Sequence, residues 1–318
     1  MASNKIIERI AVYGVGGVGG YFGGQLANKI NEQHDKDREI YFIGRGAHLQ
    51  EIKKKGLTLK IADLTPLICK PTRAVESFDD VPTPDIILLA VKSYDLDQAV
   101  RQISKRIKEN TMILPLLNGV DIYRRARNIL PIGHVFPSCV YVFSSIEKPG
   151  TVIQKGTAGR IVFGKDPDHP DMVPQQVIDL FFSAGIRSKW VENISQEIWK
   201  KYLLIAPFAL VTGCYGVTFG EIMEKQELQE MTRHVMEELI AIAKFEGVDF
   251  QDTIISETLE NARKLPYESK TSYQRDLEQK GKKNEGDLFG DTIIRLGKRY
   301  EVETPVTIEL YTHIQRNL

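Results

Sequence analysis

The chain has 318 residues, 42% of them hydrophobic, with 42 basic and 42 acidic side chains and a formal net charge of zero. That length sets an expectation of two domains with sizeable cores. A zero balance argues against nucleic acid or an anionic membrane as the main partner, since both demand a basic excess, although it leaves room for a local basic patch.

Arg9 to Tyr13 predicts a short strand that runs straight into Gly14-Val15-Gly16-Gly17-Val18-Gly19, and Val18 to Ile30 predicts a helix. This is G-x-G-x-x-G between strand and helix, the context of a dinucleotide-binding turn. Gly14 serves the tight turn, Gly16 the approach of a pyrophosphate, and Gly19 the close packing of helix on strand. Val15, Gly17 and Val18 count with them as cofactor-binding positions, and the helix N-terminus adds free N–H groups and a positive dipole end. The plain alternative is a glycine-rich turn without a ligand. Glu39 to Ile43 is a second strand, Ala47 to Lys55 is helical and Leu57 to Ile61 is strand-like. Asp85 to Val91, DIILLAV, is the continuous apolar run of a parallel strand buried on both faces. Leu96 to Ile107 sets Leu96, Val100, Ile103 and Ile107 on one helical face. Thr111 to Leu117 is a further strand whose pairing Pro115 limits. The alternation predicts a Rossmann-type doubly wound parallel sheet.

From Val135 to Gly164 the pattern is β-rich, with Lys148-Pro149-Gly150 and Gly156-Thr157-Ala158-Gly159 as turns. It predicts antiparallel strands appended to the sheet. A helix from Pro174 to Ala184 and a strand from Ile186 to Val191 close the first domain. Beyond Asn193 the alternation ends. Gln196 to Leu210, Leu228 to Glu246, Asp252 to Lys264 and Asp287 to Tyr300 read as helices, and Lys280 to Lys283 as a solvated charged turn. The expectation is a dinucleotide-binding domain over 1–192 and an all-α substrate and catalytic domain over 193–318. Leu228, Met231, Val235, Leu239 and Ile242 face the core by default, or else a homodimer partner.

Three cysteines, Cys69, Cys139 and Cys214, are scattered without a C-x-x-C pair, so neither a disulfide framework nor a zinc site is expected. Cys139, in VFPSCVYVF, reads as a buried small hydrophobe. The six histidines stand apart with no H-x-x-x-H pair, and no metal site is expected. The N-terminal MASNKIIERIAVYG has no signal-peptide core, and the longest apolar run, Tyr202 to Val211, is too short to span a bilayer. A soluble, cytoplasmic protein is the expectation.

Several residues stand where chemistry belongs. The second strand ends in Gly44-Arg45-Gly46. An acidic residue there accepts from an NAD ribose, whereas an arginine suits the 2′-phosphate of NADP(H), worth roughly 10- to 150-fold in preference. The alternative is a solvated loop arginine. Lys92 and Asn118 follow strands in AVKS and LNGV, at the carboxyl ends where ligands bind in open α/β sheets. Asn-Gly is equally a common turn. Glu197, Lys201 and Ile205 share one helical face, which by spacing alone suits a surface Glu–Lys pair. Asn284-Glu285-Gly286-Asp287 resembles a helix start with acidic first-turn residues.

Taken in order, GVGGVG at Gly14 to Gly19, Arg45, AVKSYD from Ala90, LNGV from Leu117, Pro149-Gly150-Thr151, EIWKK at Glu197 to Lys201, TSYQRDL from Thr271 and NEGD from Asn284 resemble the ketopantoate reductases (2-dehydropantoate 2-reductases) over nearly the whole chain. The resemblance implies NADPH-dependent reduction of 2-dehydropantoate to (R)-pantoate, a pantothenate and coenzyme A pathway step, in a cleft between the two domains. It makes Lys201 the general acid, with Glu285 assisting it and bonding the substrate. It puts Ser272 on the substrate carboxylate, and Asn118 and Lys92 near the nicotinamide end and the substrate. Where the family commonly carries asparagine four and eight residues after the lysine, this chain has Ile205 and Ala209. Ile205 makes that wall apolar, which an apolar or aromatic 2-keto acid would suit. A D-2-hydroxyacid dehydrogenase is therefore the second enzyme reading, and a non-catalytic nucleotide-binding sensor the third.

Overall fold

The computed structural model describes residues 7–62, 64–279, 281 and 283–318. Met1 to Ile6, expected to lead into the first strand, and Lys280 and Lys282 of the charged turn lie outside the described residues. The apolar run at the start becomes β1 (Arg9–Tyr13), with Ile10, Ala11 and Val12 fully buried, as a central parallel strand covered on both faces requires. It is followed by α1 (Gly17–Gln33), β2 (Glu39–Ile43), α2 (Gly46–Lys55), β3 (Leu57–Ile61), β4 (Leu67–Cys69), β5 (Arg73–Val75) and β6 (Ile86–Leu89). Then come α3 (Leu96–Ile103), β7 (Met112–Pro115), α4 (Ile122–Arg127), β8 (His134–Val135), β9 (Ser138–Lys148), β10 (Thr151–Gly164), α5 (Gln175–Ser183) and β11 (Arg187–Val191).

Among the described residues, six strands form a parallel sheet in the order β5-β2-β1-β6-β7-β8. The order reverses between β1 and β6, so their carboxyl ends flank the switch point where ligands bind in such sheets. This is the Rossmann-type sheet expected from the alternation, with two differences. Leu57–Ile61 does not join it. Only alternate residues of β3, Leu57 and Leu59, are fully buried, the mark of a strand covered on one face. β3 instead pairs with β4 and β10, and β5 takes the edge place beside β2. The appended strands form a second sheet, β11-β10-β3-β4, with β9 antiparallel on β10.

Within it, β10 runs through Gly156 to Gly159 as one strand with a register shift rather than turning there. The Gln154 amide holds that irregularity by donating to the carbonyls of Lys155, Gly156 and Thr157 at 2.7, 3.2 and 2.8 Å. The turn at Lys148-Pro149-Gly150 does form, with Gly150 at φ +75°.

The rest of the chain is helical: α6 (Ile194–Tyr215), α7 (Phe219–Glu224), α8 (Gln226–Phe245), α9 (Ile254–Arg263), α10 (Ser272–Leu277), α11 (Thr292–Tyr300) and α12 (Pro305–Arg316). Two compact units result, Met1–Asn118 with Ile122–Ile194, and Gly119–Asp121 with Ser195–Leu318. The tripeptide joins the helices through Asp121, a buried carboxylate that meets Arg295 at 2.5 Å. Leu228, Val235, Leu239 and Ile242 are buried core residues, and Met231 is half-buried. Cys69 and Cys139 are buried, and all three cysteines are free. No helix of the described residues is long and apolar enough to cross a membrane.

Candidate active site

The glycine turn shows three different steric demands. Gly14 has φ +95°, and a Cβ there would lie 2.6 Å from the Ala90 carbonyl oxygen at the end of β6. A Cβ on Gly19 would lie 1.9 Å from the Gly14 oxygen, so α1 can approach the turn only without a side chain. At Gly16 a Cβ would meet nothing within 4 Å. The space in front of Gly16 is open, as an approach path to the backbone must be. Gly17 has a further reason, the Ser144 oxygen of β9 at 2.4 Å from its would-be Cβ. Gly16 caps α1 without a side-chain bond, and the first turn holds no acidic residue. The helix N-terminus thus leaves its N–H groups and dipole for an anion.

Arg45 is the N-cap of α2, at the carboxyl end of β2, with its side chain 77% exposed. Its Nη2 lies 2.7 Å from Asp95 Oδ2. One turn on, His48 ties the glycine turn to the β9–β10 hairpin. Its Nε2–H donates to the Val15 oxygen at 2.9 Å and its Nδ1 accepts from the Gly150 N–H at 3.1 Å. Both partners are satisfied only by the neutral ring, and burial lowers the His48 pKa. Lys92, half-buried, follows β6 and is the N-cap of the short turn Ser93–Asp95. Asn118, half-buried, follows β7. Asp95 and His48 were not singled out from the sequence. Asp95 sits inside the quoted AVKSYD, but its partner is 50 residues away.

In the helical unit, Glu197, Lys201 and Ile205 stand one turn apart on α6, each half-buried, and Ala209 is buried. Neighbouring contacts draw the elements of this site together. Tyr202 donates to the Leu288 oxygen at 2.5 Å, and Thr212 and Thr271 share a hydrogen bond at 2.9 Å. The Tyr273 hydroxyl lies 2.9 Å from where a Cβ on Gly286 would stand. Lys201 on α6, Ser272 at the start of α10 and Glu285, 7% exposed, thus sit on elements packed against one another. The expected helix start at Asn284 to Asp287 is a turn in which Asn284 Oδ1 accepts from the Gly286 N–H, followed by a π-helical turn Asp287–Asp291 that leads into α11. Among the described residues, neither amide atom of Gln274, 2% exposed, has a hydrogen-bond partner.

The histidines, isolated in sequence, are not all isolated in space. Ligand atoms of His134, Asp166 and His169 lie within 4.8 Å of one another. The fully buried Asp166 carboxylate already accepts from Tyr123 (2.8 Å), Arg127 (2.6 Å), the Val135 N–H (2.9 Å), the Asp168 N–H (3.1 Å) and His169 (2.9 Å). Burial raises its pKa, but the His169 and Tyr123 bonds and the Arg127 charge outweigh burial and hold it below the ordinary value. Arg127 supplies the positive charge an ion would bring, so the group is a structural hub joining α4, β8 and the segment after β10.

The family described as ketopantoate reductase PanE/ApbA matches residues 10–168, and its C-terminal counterpart matches residues 193–317. The uncharacterized oxidoreductase YkpB of Bacillus subtilis (strain 168) is 26% identical over 310 residues, covering 96% of this chain and 98% of that one. The crystal structure of 2-dehydropantoate 2-reductase from Porphyromonas gingivalis W83 is 28% identical with a TM-score of 0.82, covering 97% and 99%. The ternary structure of D-mandelate dehydrogenase with NADH and anilino(oxo)acetate has a TM-score of 0.86 at 22% identity, covering 97% of each chain, a likeness of fold. Consecutive parts of one family run through both units, and the chain belongs to the ketopantoate reductase family of oxidoreductases.

Proposed function

We propose that this protein reduces a 2-keto acid, 2-dehydropantoate to (R)-pantoate, with NADPH, as a pantothenate and coenzyme A pathway step in the cytoplasm. The observation that carries the reading is the family match through both units, the one with the glycine turn and the one with Lys201 on α6 and Glu285 in the turn before the π-helical segment. The open space at Gly16 beside an uncapped helix N-terminus fits a pyrophosphate. Gly14 to Gly19, Arg45, Lys92 and Asn118 would hold the cofactor, over a domain of residues 1–192, with residues 193–318 supplying the substrate side. When bound, the reduced nicotinamide supplies hydride to C2 of the keto acid.

Lys201 gives its proton to the C2 oxygen as that oxygen becomes an alkoxide, and its ammonium stabilises the developing negative charge beforehand. Glu285 orients Lys201 and bonds the substrate, and Ser272 donates to the substrate carboxylate. Asn118 and Lys92 hold the other end of the reacting group. Leu228, Val235, Leu239 and Ile242 are buried within the helical unit, so a homodimer would form through other residues.

Ile205, half-buried one turn beyond Lys201, favours a second reading, a D-2-hydroxyacid dehydrogenase for a more apolar substrate. The test is NADPH oxidation, followed by absorbance, with a panel of 2-keto acids that includes ketopantoate. Turnover of ketopantoate above the others supports the first reading, and turnover of apolar acids with none of ketopantoate supports the second. Lys201→Ala should lower kcat by about 10²- to 10⁴-fold with the fold intact. Unchanged turnover in that variant would remove Lys201 from the chemistry.

A further inference from the structure

Arg45 is already engaged. Its partner Asp95 is only 21% exposed, against 77% for Arg45. Asp95 is the N-cap of α3, where an aspartate ordinarily accepts from the first N–H groups of the helix. Here the side chain makes no cap bond and turns to Arg45 instead. Its backbone is fixed, the Asp95 N–H donating to the Lys92 oxygen at 2.9 Å. The carboxylate is also close enough to Tyr13, at the end of β1, to raise that hydroxyl's pKa, after burial. β2 and β6 both flank β1, so the turns after them bring a guanidinium and a carboxylate together beside the carboxyl end of the central strand.

Resting on the reading of Arg45 as the 2′-phosphate site, we propose that Asp95 sets the cofactor preference: it competes with the adenosine 2′-phosphate for Arg45 and accepts the ribose 2′-hydroxyl when NADH binds. The two side chains together present both recognition chemistries of nicotinamide dinucleotides. A 2′-phosphate finds its cation shared with a neighbouring anion, which weakens it. A 2′-hydroxyl finds a fixed carboxylate acceptor. The chain therefore binds both cofactors, with a narrower preference for NADPH than Arg45 alone would give.

The experiment is a cofactor titration by fluorescence or calorimetry with NADPH and NADH, using the full chain, Asp95→Asn, Arg45→Ala and the double variant. Asp95→Asn should bind NADPH about tenfold more tightly and NADH about three- to tenfold more weakly, the size of one charged hydrogen-bonding contact. The gain for NADPH should vanish when Arg45 is also alanine, because the competition acts through Arg45. An unchanged NADPH-to-NADH ratio in Asp95→Asn, with the ratio lowered in Arg45→Ala, overturns the role of Asp95 and leaves the Arg45 reading standing. A wild-type ratio in Arg45→Ala overturns the Arg45 reading, and this one with it.

Discussion

At the scale of single residues, the proposed cofactor reading makes the glycine turn separate binding from folding. Gly16 opens on free space, whereas a Cβ on Gly19 would lie 1.9 Å from the Gly14 oxygen, although both belong to one motif. Gly16→Ala should therefore keep the melting temperature within a degree or two and weaken NADPH binding by tenfold or more, since the new methyl fills the path to the backbone. Gly19→Ala should lower stability by roughly 3 kcal/mol or more, because backbone has to move to admit the Cβ. Thermal unfolding and a cofactor titration of both variants check this, and equal destabilisation by the two would show that Gly16 has no open approach. The glycines were legible in the sequence because backbone sterics make the motif local. The partners of Arg45 and His48 were not, since Asp95 lies 50 residues from Arg45, and Val15 and Gly150 lie 33 and 102 residues from His48.

Among elements, α12 shows how a helix can depend on a distant side chain. Its N-cap residue Thr304 makes no side-chain cap bond, and Pro305 opens the helix. The cap comes from α8, where the Glu238 carboxylate accepts from the Val306 N–H at 2.8 Å, the Thr307 N–H at 3.2 Å and the Thr307 hydroxyl at 2.5 Å. Burial raises the Glu238 pKa and outweighs these bonds. Glu238→Ala should cost about 1–3 kcal/mol, the cost of orphaning buried donors, and Glu238→Gln less, because its one amide oxygen still accepts on one side while its amide nitrogen cannot accept on the other. Equal losses in urea unfolding of the two would mean that one remaining acceptor oxygen does nothing to hold the start of α12. The same dependence explains which elements the sequence revealed. β1, β2 and β6 are apolar runs buried on both faces and announce themselves. β3 shows its strand character in alternation, but its membership of the second sheet is decided by β10, more than ninety residues on in the pairing of Thr58 with Thr151. α10 is six residues long, with the Thr271 side chain accepting from the Gln274 N–H, and α12 opens on Pro305 but takes its cap from another helix, so their local signals are slight.

The whole molecule divides its acid sensitivity between its two units. The histidines whose pKa the fold displaces, His48 and His134, both belong to the unit of the parallel sheet. Both are lowered, His48 by burial and His134 by burial and then the His169 charge, so the folded state prefers their neutral forms. A lowered histidine contributes stability that is complete above its unfolded value, near 6.5, and is lost as pH falls through the lower folded value. For His48 the loss has a visible route, since a protonated Nδ1 cannot accept the Gly150 N–H that holds the hairpin to the glycine turn. In the helical unit the raised Glu238 acts with the opposite sign, favouring the fold as pH falls toward it. Between pH 7.5 and 5.5 the sheet unit should therefore weaken while the helical unit holds. The chain has two tryptophans, and they fall one in each unit, Trp190 on β11 and Trp199 on α6. Trp190→Phe and Trp199→Phe variants let urea unfolding be followed in each unit separately. The midpoint reported by Trp190 should drop on acidification and that reported by Trp199 should move less. Adding His48→Gln, whose amide can donate to Val15 and accept from Gly150 without titrating, should remove part of the drop at Trp190. Midpoints that fall equally at both tryptophans, with or without His48, would remove these histidines as the source of the acid sensitivity.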